Sequence, residues 1–334
     1  MDQQHEPRVQ RGNFKVFDAS TSRPILQRLN ADSSWLLSLP YPQHLQPPLG
    51  RCRFNVIIDA WLRGRQIDLF SWFSSQEHAE PSSVESINQL NALLQTAERE
   101  VTGQSFTGGE QTNFVDLVVC SHEFTDHCHE ATLRELPGSV LVLAPKKAAS
   151  LVRSWKHFDN VVEISMYGTN SHHTLLPDWL SVERVHTKGD ASIHFHSALI
   201  VTFSLTAGQR SEAIVYTPHG IKADSLISAI ALRPATELLA LLHGLHDISL
   251  AGAQLNLGME NAIKIRQFRD VKYWFATHDE VKLAYGMVAW MLKRTEHTLQ
   301  LAPGSHPITE HGSAPGVSED TFVSLENGDC FILR

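Results

Sequence analysis

The sequence is short of cysteine, of clustered positive charge and of long apolar runs, and each shortage closes off a class of protein. Only four cysteines occur in 334 residues. Cys52, Cys120, Cys128 and Cys330 show no CxxC spacing, so neither a disulfide framework nor a zinc ribbon is expected, and a reducing compartment fits. No stretch approaches the roughly 18 apolar residues that span a bilayer. Met1 to Asn13 is polar and lacks the apolar core of a signal peptide. The expectation is a protein without a membrane span, in the cytoplasm. Lys and Arg total 28 against 36 Asp and Glu, a formal charge of −8. With no Lys/Arg cluster, nucleic acid is not an expected partner.

What is abundant is histidine. Nineteen are present, and imidazole is the commonest protein ligand for transition metals. Hydrophobic residues make up 42% of the chain, enough to bury one large core or two smaller ones.

Along the chain, β-rich runs at Phe14 to Phe17, Trp35 to Leu39 and Phe54 to Asp59 are parted by turn segments such as Pro47-Pro48-Leu49-Gly50. Helical spacing of Val84, Ile87, Leu90, Leu93, Leu94 and Ala97 predicts a helix from Ser83, as N-cap, to Val101. Strand Phe114 to Cys120, helix His129 to Leu136, strand Val140 to Ala144, helix Lys146 to Trp155 and strand Asn160 to Ile164 then alternate. Such alternation predicts an α/β sheet with helices packed outside it. An antiparallel run at about 181–186, 192–204 and 212–217 follows. Alternation resumes with helix Asp224 to Ala231, strand Glu237 to Leu242, helix Glu260 to Phe268, strand Lys272 to Ala276 and helix Val281 to Arg294. A Pro/Gly/Ser-rich loop from Ala302 to Gly316 precedes strands at Thr321 to Leu325 and Cys330 to Leu333. Two halves that each mix strands and helices predict two sheets face to face with helices outside. Residues 1–13 read as a loose tail and 14–334 as one domain.

The chemistry concentrates after the apolar run FVDLVVC, where Ser121-His122-Glu123-Phe124-Thr125-Asp126-His127-Cys128-His129 leads into a helix. Imidazoles and carboxylates at the carboxyl end of a strand lie where ligand-binding groups converge in α/β sheets. These residue types suit a borderline Lewis acid such as zinc. Cys128, at a helix start, reads as partly buried and inert, and His129 as a helix cap or a neighbour of the metal.

The loop resembles the HxHxDH motif of the metallo-β-lactamase superfamily: His122, Asp126 and His127 match it, and Phe124 stands at the second histidine. The resemblance runs over most of the chain and is nearest to the branch of ascorbate-phosphate lactonase and the phospholipase D that acts on N-acyl-phosphatidylethanolamine. Ile57-Ile58-Asp59-Ala60-Trp61-Leu62 looks like the early IDPWL signature of that branch, with Ala60 for proline. What the resemblance implies is a four-layer αββα sandwich of the α/β class, with its metal at the loop edge of the two sheets. Further ligands would come from three places. Of His194 and His196, which share a strand face, His196 is the choice because it lies deeper in the strand. His219 ends Ala213-Ile214-Val215-Tyr216-Thr217-Pro218-His219-Gly220, where the family carries a bridging aspartate. His278 ends the strand that begins at Val271.

A neutral imidazole cannot bridge two cations as a carboxylate does, so His219 and Phe124 favour one metal ion over two. The expected set is Asp126, His127, His219 and His278, with His122 and His196 as further ligands, and one zinc per chain, with iron or manganese as alternatives. The implied reaction is hydrolysis of an ester, lactone, thioester or amide in a small metabolite. A metal-bound hydroxide would attack, and Asp126 would orient or deprotonate the water. A metal-dependent lyase or isomerase, and a binding or scaffold protein on a degraded enzyme fold, remain open. Loops at about 62–83, 167–180 and 302–316 would set specificity, with Trp61, Trp72 and Phe73 as a possible apolar wall or as core. Leu242-His243-Gly244-Leu245-His246-Asp247 is a further candidate for the cleft, whereas His172 and His173 read as solvated. Oligomeric state is open.

Overall fold

Residues that alternate between two apolar faces fix the layers. In the strand Trp35–Pro40, Leu36 packs under a helical layer, while Trp35, Leu37 and Leu39 face the opposite way; adjacent residues of a strand point to opposite faces. The computed structural model describes residues 17–68, 74–104, 113–169, 174–187, 195–268, 270–297 and 322–334, with the strand Val9–Gln10. The loop 302–316, Trp72, Phe73, His172, His173, His194 and most of the polar tail therefore lie outside the described residues, as do residues 14–16 of the first expected strand.

Among the described residues, the first large sheet has eight strands. In spatial order they are Val9–Gln10, Cys330–Ile332, Ile25–Arg28, Trp35–Pro40, Arg53–Ile58, Leu117–Val119, Leu141–Ala144 and Val161–Glu163. From Arg53–Ile58 to Val161–Glu163 the pairing is parallel. The second has seven: Ser165–Met166, Leu180–His186, Ser197–Phe203, Glu212–Thr217, Glu237–His243, Val271–Phe275 and Phe322–Val323. Its expected antiparallel run is present at Leu180–His186, Ser197–Phe203 and Glu212–Thr217.

The inward faces of the two sheets meet in one core, with Val56, Ile58 and Val119 on one side and Val201, Ile214 and Tyr216 on the other. Outside the first sheet, α1 (Ile87–Thr102), α2 (Glu130–Leu133) and α3 (Lys146–Ser154) contribute Leu90, Leu94, Leu133 and Val152 to a second core. Outside the other sheet, α4 (Ala223–Ile230) and α5 (Met259–Phe268) bury Leu226, Ile230, Ala262 and Ile265. This is the αββα sandwich. No helix among the described residues is long and apolar enough to cross a membrane.

Three differences from the sequence reading have local causes. The N-cap of α1 is Ser86, whose hydroxyl accepts from the Gln89 amide at 3.2 Å; the Ser83 hydroxyl instead donates to the Leu29 carbonyl. Second, α2 is a single turn, capped by the His129 side chain. Third, Val281 to Arg294 is not a helix. Leu283–Tyr285 pairs with Ser74–Glu77, and Leu292–Thr295 pairs with Asp247–Leu250, so two waiting strand edges capture the segment. Gly286, at φ 92°, takes it off any helical path. The helical spacing of Ala284, Val288 and Leu292 reflects a shared cavity wall.

Candidate metal centre

Four strand ends meet at one edge of the sandwich. Asp59 follows Arg53–Ile58, the loop 120–129 follows Leu117–Val119, His219 follows Glu212–Thr217, and His278 follows Val271–Phe275. Asp59 and His278 hold left-handed backbone, with φ of 51° and 58°, a conformation that costs a non-glycine residue about 1–3 kcal/mol and collects at functional sites. The turn after His219 needs Gly220, at φ 75°, where a Cβ would lie 2.7 Å from the Leu257 backbone oxygen.

His127, His219 and His278 are buried and bring their ligand atoms within 4.8 Å of one another. Each ring is held through Nδ1. His127 Nδ1 lies 2.7 Å from Asp59 Oδ2, His219 Nδ1 lies 2.8 Å from Asn256 Oδ1, and His278 Nδ1 lies 3.1 Å from Asp32 Oδ2. In a neutral ring an acceptor at Nδ1 selects the tautomer with the proton there and frees Nε2 to ligate, the usual arrangement around metal-binding histidines; His127 would give up its Nε2 proton to a bound cation. His127 Nε2 and His219 Nε2 are 3.0 Å apart. Asp126 lies beside them, 3.7 Å from His127 Nε2 and 3.8 Å from His278 Nε2.

Asp59 is itself tied down. It accepts from the Ser121 amide at 2.6 Å, the Ser121 hydroxyl at 2.5 Å and the Tyr216 hydroxyl at 2.6 Å. Burial and the nearby Asp59 carboxylate keep Tyr216 protonated, as a donor, far above the usual phenol range. On the opposite side Lys282 Nζ bridges Asp32 Oδ2 at 2.8 Å and Asp126 Oδ2 at 3.0 Å.

The charges respond to this packing. Burial alone would raise both Asp32 and Asp126, but His278 and Lys282 at Asp32, and His127, Lys282 and His278 at Asp126, hold both well below the ordinary carboxylate range. Burial depresses His219 and His122 well below the usual imidazole range, helped by neighbouring imidazoles. It also lowers His278, against the pull of Asp32. His127 goes the other way: burial opposes its charge, yet Asp126 and Asp59 lift it to about 9.

This donor set fits a divalent cation. Three imidazole nitrogens converge, as in catalytic zinc sites with three protein ligands, and the buried Asp32 and Asp126 carboxylates share the Lys282 ammonium. Buried charge is stable only when paired, and a cation among the imidazoles would take over the pairing that a charged His127 gives Asp126. His122 Nε2 is likewise buried without a hydrogen-bond partner, with its ring 4.8 Å from that of His219.

The sequence-predicted residues divide accordingly. His122, Asp126, His127, His219 and His278 come together. Among the described residues, neither His122 nor His196, both buried, belongs to a group of residues that could hold a metal, and His122 joins the cluster through its ring contacts. The strand begins only at Ser197, and it is Phe195 that reaches the cluster, stacked on Phe124 at 5.0 Å and 5.4 Å from His219. Glu123 pairs with Lys147, Cys128 lies in the helical-layer core, and His129 caps α2. His243 is bonded to the Gly244 carbonyl and to Asn261, and His246 accepts from the His297 amide. Trp61 is buried, stacked on His78.

Asp32, Asn256, Phe195 and Lys282 were missed. Asp32 lies in the polar run Asn30 to Ser34 and Asn256 at the end of the small strand Ala253–Asn256, so neither carries a signal beyond its residue type. Lys282 was hidden by the helix assigned to its segment. The cluster floors a cavity of about 600 Å³ whose walls include Phe124, Phe195, Ile248, Leu255, Val288 and Leu292.

No protein-family profile matches the sequence, and no curated protein matches it. Among solved structures, an isothiocyanate hydrolase from gut bacteria of Delia radicum is similar at 16% identity and a TM-score of 0.49, over 76% of this chain and 84% of that one. A possible metal-dependent hydrolase from Veillonella parvula is similar at 12% identity and 0.49, over 77% and 86%. The metallo-β-lactamase fold protein YhfI from Bacillus subtilis is similar at 12% and 0.40, over 76% and 86%.

Proposed function

We propose that the protein is a metal-dependent hydrolase of an ester, lactone, thioester or amide, holding one divalent metal ion per chain through His127, His219 and His278. Zinc is the first choice, with iron and manganese as alternatives. The observation that carries the reading is the locking of all three imidazoles at Nδ1 by Asp59, Asn256 and Asp32, which aims three Nε2 atoms at one place. A divalent cation there would polarise a carbonyl and acidify water.

The chain supplies the rest. Asp126 stays ionised at neutral pH, so it accepts a hydrogen bond and orients water; a carboxylate held so low is a weak proton acceptor. Phe124 and Phe195 form a flat wall beside His219. The apolar cavity receives an acyl or alkyl body of the substrate while the reacting carbonyl meets the polar floor. The placement of Asp59 before Trp61 and the Asp126-His127 pair support the lactonase and phospholipase D-like branch of the metallo-β-lactamase superfamily.

Elemental analysis of wild type and of His219→Ala and His278→Ala tests the metal, with about one ion per chain expected in wild type and loss in both variants. An acyl-substrate screen, with Asp126→Ala as the control, tests the reaction. Oxygen from labelled water must appear in the product; its absence points to the lyase or isomerase alternative. Wild type that holds no metal after reconstitution returns the chain to a binding role.

A further inference from the structure

Two groups of buried side chains at this edge could each hold a cation, and they share His278: His127, His219 and His278, and Asp32, Asp126 and His278. With His278 Nε2 given to the first ion, a second would rest on the Asp32 and Asp126 carboxylates. The second group already contains a cation. Lys282 Nζ sits between the Asp32 and Asp126 carboxylates at 2.8 Å and 3.0 Å, and its side chain is only 9% exposed. Its approach is fixed along its length. The ammonium lies 5.3 Å from the ring centroid of Trp61, and that ring stacks on His78 at 3.7 Å. His78 meets Glu280, two residues before the lysine, at 2.6 Å. The Glu280 carboxylate also accepts from the Ala79 amide at 2.7 Å, and Leu283–Tyr285 is paired to Ser74–Glu77 just after the lysine.

We infer that Lys282 is a built-in replacement for a second metal ion. In two-metal hydrolytic sites a pair of cations about 3.5–4 Å apart shares the ligands and clamps the reacting oxygens. Here one of those positions is filled by a covalently tethered, singly charged ammonium that lines the cavity. The ammonium binds Oδ2 of both carboxylates and repels a second divalent ion, so the centre is limited to one metal. This inference rests on the proposed metal-dependent reading and adds what sets the metal count.

The test compares zinc bound per chain, by elemental analysis after equilibration with excess zinc and desalting, in wild type, Lys282→Met and Lys282→Met/Asp32→Asn. Methionine keeps an unbranched stem over Trp61 and removes the charge. The expected counts are one in wild type, two in Lys282→Met, and one again in the double variant, which lacks a carboxylate of the second group. One ion in a folded Lys282→Met chain overturns the inference and leaves the single-metal reading standing, whereas two ions in wild type overturn both. No zinc in wild type overturns the metal-dependent reading itself. If Lys282→Met does not fold without metal, it is refolded with zinc and counted in the same way. A chain that zinc does not rescue counts against the inference, because a second cation ought to replace the lost charge.

Discussion

At the scale of single residues, the affinity of the proposed metal centre should depend as much on what holds Nδ1 as on the imidazoles themselves. Asn256 touches only the far side of His219 in this cluster, so Asn256→Ala should weaken metal binding about 10–100-fold while leaving the fold intact, as read by competition with a chromophoric chelator. His243 makes the opposite point about a histidine that ligates nothing. Burial pushes it down from 6.5 to about 4, and it is satisfied as a neutral ring. Between those two values the unfolded chain binds the extra proton and the folded chain does not. Stability is therefore full above pH 6.5 and falls as the pH drops toward 4, by up to about 3 kcal/mol from this residue. Urea midpoints of chelator-treated protein at pH 7 and pH 5 should differ less in His243→Gln than in wild type. His127, His219 and His278 were legible in the sequence because each ends, or closely follows, an apolar strand. Asp32, Asn256 and Lys282 were not, since they reach the site from turns and small strands whose position is decided by tertiary packing.

At the scale of elements, the turn after Glu212–Thr217 is the least tolerant part of the site. Gly220→Ala would strain a left-handed residue and drive its Cβ against the Leu257 backbone. The expected loss is about 1–3 kcal/mol of stability, together with weaker metal binding because His219 and Asn256 would be pushed apart; a urea melt and a zinc titration check both. The helices α1, α3, α4 and α5 were expected from the sequence, and their apolar faces pack on a sheet. A helix was also expected at Val281 to Arg294, where there is none. There Leu283, Met287 and Trp290 are exposed, while Val281, Ala284, Val288 and Leu292 line the cavity. A recurring apolar position marks a shared surface, and the surface need not be a core.

At the scale of the whole molecule, the cluster draws on both sheets, with Asp59, Asp126 and His127 at the edge of one and His219 and His278 at the edge of the other. A metal held by the proposed ligands His127, His219 and His278 would tie the sheets together. At a free concentration a hundredfold above Kd it should stabilise the fold by about 2.7 kcal/mol, so Tm should rise with added zinc and fall back when a chelator is added. The layered architecture was legible because alternating strands and amphipathic helices admit few other packings. The order of strands within each sheet was not, because pairing partners far apart in sequence leave no local trace. One such pairing shapes the folding of the protein. The strand Cys330–Ile332 inserts between Val9–Gln10 and Ile25–Arg28, so Ile25–Arg28 keeps an unpaired, sticky edge until a segment distant in sequence arrives. Folding should therefore be slow, because the contact that closes this edge spans a long stretch of chain.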